Sequence, residues 1–183
     1  MNVYLLLQAL QNLIEKEAPM LPLPTKIRNT EDKRRKPYKT DVLRAGEDDP
    51  SSVLNPLSSV CRHPYVFIGS LPLGTATMDE LVPFVLIQAL EGYEQDGMHT
   101  VRVAFRVAVR DDEQESAENH LHNLMSLVRQ AVMRAHEGDI LEGKYQMRPD
   151  EAGHIWNWKR PDEQFPPFAE AYALANWAMK GIE

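Results

Sequence analysis

The chain has 183 residues, 43% of them hydrophobic, a formal charge of −7 and a single cysteine, Cys61. That length suits one domain with its own core, needing neither metal nor disulfide support, and one cysteine excludes an internal disulfide scaffold and favours a reducing compartment or an assembled particle. The acidic balance argues against a dedicated DNA reader, because phosphate neutralisation supplies much of such affinity.

The opening stretch, MNVYLLLQALQNLIEKEA, lacks a basic leader, and its apolar run breaks at Gln8. It reads as neither a signal peptide nor a membrane span, and a soluble protein with no membrane partner is expected. Val3, Leu6, Leu7, Leu10, Leu13 and Ile14 share one side of a 3.6-residue period, with Gln8, Gln11, Asn12 and Glu15 opposite. The first seventeen residues are therefore expected to form an amphipathic helix, ended by Pro19. The stretch 19–80 reads as a Pro-rich, partly basic insertion or arm of a single domain 1–183, since Pro22, Pro24, Pro37, Pro50, Pro56 and Pro64 give much of it loop composition.

Residues 26–44 hold eight Lys or Arg against Glu31, Asp32 and Asp41, a net of +5, which leaves −12 for the rest of the −7 chain. The cluster Lys33, Arg34, Arg35 and Lys36 at its centre has two readings, a solvated loop or a dock for an acidic partner.

PYVFIGSL and VPFVLIQALEG are short apolar runs bounded by Pro and Gly, suited to strands covered on both faces. GTATMDEL between them fits a loop with one helical turn, and Asp96-Gly97 is a tight-hairpin pair. The clearest strand is TVRVAFRVAVR: Val101, Val103, Phe105, Val107 and Val109 point one way, while Arg102, Arg106 and Arg110 line the other face. This arginine stripe calls for helix carboxylates or an adjacent subunit as its neighbour, and it is a candidate interface.

Asp112 and Glu115 then stand at capping-box spacing, and Leu121, Leu124, Met125, Val128, Ala131, Val132 and Ala135 repeat as one face of a helix over about 115–136, with Gly138 as its stop. Two short extended pieces follow in GDILEGKYQM and AGHIWNWKR. Trp156 and Trp158, two apart, share one face of a strand, either as packing at the core edge or as a subunit contact. In the closing FAEAYALANWAMK, alanine content favours helix and the alternation of Ala171, Ala173, Ala175 and Trp177 with Glu170, Tyr172, Leu174 and Asn176 favours strand.

Chemistry is not signalled. His120 and His122 lie about 200° apart on a helix and cannot grip one ion; no serine elbow, phosphate loop or dinucleotide fingerprint occurs. Cys61-Arg62-His63 places a cysteine and a histidine close in sequence without showing that they meet in space. No enzyme activity, cofactor or metal is expected.

The succession of parts resembles the tail terminator (tail completion) proteins of long-tailed bacteriophages. It comprises an amphipathic first helix, the strand PFVLIQALEG, a hairpin into Thr100 to Arg110, the acidic turn RDDEQES, one long helix, IWNWKRPDEQFPPF and a last strand. Asp162, Glu163, Gln164, Pro166, Pro167, Phe168 and Glu170 match the polar step, the proline-aromatic pair and the acidic strand residue of that group. The resemblance covers about residues 82–178 and, loosely, the first helix; residues 19–80 depart from it in length and charge. It favours strand for the closing stretch and implies an α+β fold, a twisted, mainly antiparallel β-sheet with helices packed mainly on one face, plus a long loop-rich insertion. It further implies a structural virion protein, assembled in the host bacterial cytoplasm and sited at the tail end nearest the head. There it forms a self-associated ring, a homohexamer, that caps the tail tube protein, ends tube polymerisation and joins a head-tail connector or neck protein. The resemblance also implies that DNA passes through the lumen of that ring without specific binding. The alternative is a head-tail connector or neck protein of the same particle.

Overall fold

A computed structural model of the protein describes residues 3–17, 21–22, 61–72, 77–95, 97–111, 114–137, 144–164 and 166–180. The elements in chain order are α1 (Val3–Glu17), β1 (Leu21–Pro22), β2 (Cys61–Arg62), β3 (Tyr65–Ile68), α2 (Met78–Leu81), β4 (Phe84–Gln95), β5 (Met98–Arg110), α3 (Gln114–Glu137), β6 (Tyr145–Arg148), β7 (Asn157–Lys159) and β8 (Phe168–Lys180). β1 and β2 make a separate antiparallel pair. The other six strands form one mixed sheet in the order β3-β4-β5-β8-β6, with β7 also paired to β8. The fold is α+β. The segment 23–60, most of the expected insertion, lies outside the described residues, as do Asp112 and Gly138.

The closing stretch is a strand of thirteen residues, and the reason is visible in its alternation. β8 pairs with β5 along its whole length, from Arg110↔Phe168 to Met98↔Lys180. Its Ala169, Ala171, Ala173 and Ala175 are 3% exposed or less, on the same side as Val101, Val103, Phe105, Val107 and Val109. A row of methyl groups there lets α3 lie close on the sheet, since bulkier side chains would hold the helix away. The helix propensity of alanine, worth well under about 1 kcal/mol per residue, is outweighed by this packing. Trp177 ends the row at 0% exposure and fills the space near the start of β5.

Two helices cover this face side by side, α1 over β3 and β4, α3 over β5, β8 and β6. α1 buries Leu6, Leu7, Leu10 and Ile14, the stripe expected from its period. α3 buries Leu121, Leu124, Val128 and Val132. Arg134 and Glu17 pair between the two helices, and Gln11 Nε2 donates to the Val66 carbonyl at 2.8 Å, fixing α1 to β3. Each fully buried large aliphatic side chain contributes about 1.5–3 kcal/mol, so this single layer holds most of the stability.

A second, smaller apolar cluster lies on the other side of the sheet. Leu81, Val82, Phe84, Leu86 and Ala108 are buried there, with Tyr65, Phe67 and Met78 against them. The single helical turn α2 forms its lid, begun by Thr77, whose N–H donates to Glu80 Oε2 at 2.9 Å. β3 and the first residues of β4 are thus covered on both faces, as their unbroken apolar runs require. They pair in parallel, Tyr65↔Phe84 to Ile68↔Ile87. The β4-β5 hairpin turns where Gln95 faces Met98, with Gly97 at φ 70°, a value that favours glycine.

Candidate interaction surface

Beyond the α2 cluster the second face of the sheet carries no helix. Cross-strand partners lie side by side on one face, so the pairing defines its rows. Leu86, Arg106, Tyr172 and Lys159 form one row across β4, β5, β8 and β7. Gln88, Ala104, Leu174 and Asn157 form the next. Glu91, Arg102, Asn176 and Arg148 form a third, with β6 in place of β7. With Glu170 beside the first, these three rows hold four cations against two carboxylates on a chain of net −7.

The arginine stripe finds its partners within the sheet. Arg106 Nε and Nη2 donate to Glu170 Oε2 at 3.0 and 2.6 Å. Arg102 Nη1 meets Glu91 Oε1 at 2.6 Å, and its Nε donates to Asn176 Oδ1 at 3.2 Å. The Arg110 guanidinium lies 5.9 Å from the Phe168 ring centroid. The expectation of helix carboxylates beside Arg102 and Arg106 is therefore corrected: β4 and β8 supply the acids. Register is the reason, since it sets Glu170 one step diagonally from Arg106 and Glu91 directly opposite Arg102.

The two tryptophans both turn to the helix side and then part. Trp156 packs on Phe105 at 5.4 Å between centroids, the rings tilted by 37°, and is an edge of the core. Trp158, opposite Ala173, meets His122 edge-on at 5.8 Å and remains 45% exposed. Arg160 pairs with Glu118 of α3 at 2.6 Å just beyond it. Lys33, Arg34, Arg35 and Lys36 lie outside the described residues.

The edges of the sheet are treated unequally. On the β8 side, β6 pairs residues 176–179 and β7 pairs residues 172–174. Further along, the Gln164 side chain stands in for a strand: its Nε2 donates to the Glu170 carbonyl at 3.3 Å, and its Oε1 accepts from the Glu170 N–H at 2.9 Å. On the β4 side, β3 stops at Ile87, where Gly69 N donates to the Ile87 carbonyl at 2.9 Å and Gln88 Nε2 to the Gly69 carbonyl at 2.8 Å. Past that point no described strand pairs with the outer edge of β4, its other edge being bonded to β5 throughout. A bulge at Leu90 interrupts the register between Ala89 and Glu91, and Leu90 and Tyr93 are 55% and 51% exposed.

At the start of α3 the Asp111 carboxylate accepts from Ser116 Oγ at 2.8 Å and lies 3.5 Å from His120 Nδ1. This is a tether for the helix start; His120 faces the carboxylate, and the serine proton is already directed to Asp111. In the loop after β6, Asp150 accepts the backbone N–H groups of His154 and Ala152 at 2.8 and 3.0 Å. These bonds, that to His154 foremost, hold its carboxyl below the usual range. Among the described residues no group of three His, Cys, Asp or Glu could hold a metal ion, and no helix is long and apolar enough to cross a membrane.

No protein-family model matches the chain, and no curated protein matches it.

Proposed function

We propose that the chain is a structural virion protein, a tail terminator that caps the finished tail tube of a long-tailed phage as a six-membered ring of its own copies. In this reading it ends tube polymerisation, offers its far side to the connector or neck protein of the head, and catalyses no reaction. The supporting observation is the order of elements about the sheet: a first helix, the β4-β5 hairpin, one long helix, the Trp segment and a final strand returned against β5. That is the succession on which the resemblance to tail terminators rests, with both long helices on one face.

The physics of such a cap is simple. A head-to-tail contact between copies closes into a ring when its rotation permits, and the ring stops a growing tube if its far face does not copy the tube subunit. The helix-free face, with Lys159 and Arg148 exposed beside paired arginines, is a polar surface of the kind found at the rim of reversible contacts. A net charge of −7 suits a lumen that passes DNA without retaining it. Negative-stain microscopy of the purified protein mixed with tail tubes is the test. Six-fold rings seated on tube ends are expected. Binding to the head vertex alone, with bare tube ends, would instead assign the chain to the head-tail connector or neck.

A further inference from the structure

We draw no further inference here: the strongest candidate, the exposed Leu90, Tyr93 and Met98 at the turn end of the β4-β5 hairpin, is an unpartnered surface patch, and nothing in the structure shows what covers it.

Discussion

Reversing Arg106 to Glu separates what this residue does inside the sheet from what it does for assembly. In the fold it donates two hydrogen bonds to Glu170 Oε2, with 43% of its own side chain and 20% of its partner's exposed. Exposure on this scale lets water screen the pair, so its loss costs about 0.5–1 kcal/mol. Arg106→Glu then sets two carboxylates diagonally across neighbouring strands, adding a penalty of similar size. The total, about 1–2 kcal/mol, lowers Tm by about 2–8 °C for a chain of this length. The doubly reversed Arg106→Glu/Glu170→Arg variant should return to within about 0.5 kcal/mol of the parent, because Gln164 holds Glu170 through its backbone and is indifferent to the swap. Urea unfolding of the parent, the single variant and the swap makes the measurement. A single variant as stable as the parent, or a swap as weak as the single variant, would refute this account of the pair. Once the swap folds normally, ring assembly that stays weak assigns Arg106 to the interface, and normal assembly confines its role to the sheet.

Three further outcomes follow from the geometry. Ala173→Leu enlarges a residue of 0% exposure on the helix-covered face and should cost about 1–3 kcal/mol in urea unfolding by overpacking; an unchanged midpoint would mean that α3 does not lie close on β8. Gln164→Leu removes both side-chain bonds to the Glu170 backbone, so stability should fall by about 1 kcal/mol and the Glu170 amide should exchange faster, whereas unaltered exchange would dismiss the strand-like role of Gln164. Asp150 has a carboxyl held below its ordinary value, so its contribution is present above the unfolded value of about 3.9 and disappears as pH falls through the folded one. Asp150→Asn should accordingly flatten the acid limb of stability below about pH 5, and an identical acid limb would contradict the cause assigned to the shift.

What the sequence discloses and what it conceals divide along a physical line. Periodicity is local, and it locates α1, β5 and α3, where apolar spacing of 3.6 or 2 is sustained over many residues. β8 is legible only when its alanines are read as the floor beneath a helix. Register is non-local. Nothing within TVRVAFRVAVR tells that Arg106 meets Glu170, sixty-four residues on, or that Arg102 faces Glu91 beyond a bulge. Gln164 illustrates the same limit: its polarity suggests a turn, and only the returning β8 turns its amide into an edge cap. The tryptophan pair shows a shared face in sequence, but depth differs because Trp156 reaches Phe105 whereas Trp158 meets only the exposed His122 of α3 and stays half exposed. One signal for the candidate surface was available, since Glu170 is the sole acid on the outward face of its strand, opposite a stripe that needs one.

The central claim is that copies of this chain end a tail tube. Its most direct test is the length of tubes grown from phage tail tube subunits in the presence of increasing amounts of the protein, measured by electron microscopy. The account predicts that elongation stops, tube lengths shorten with dose and each arrested end carries one six-fold ring. Tubes that grow to the same length at every dose, with no density at their ends, would contradict it.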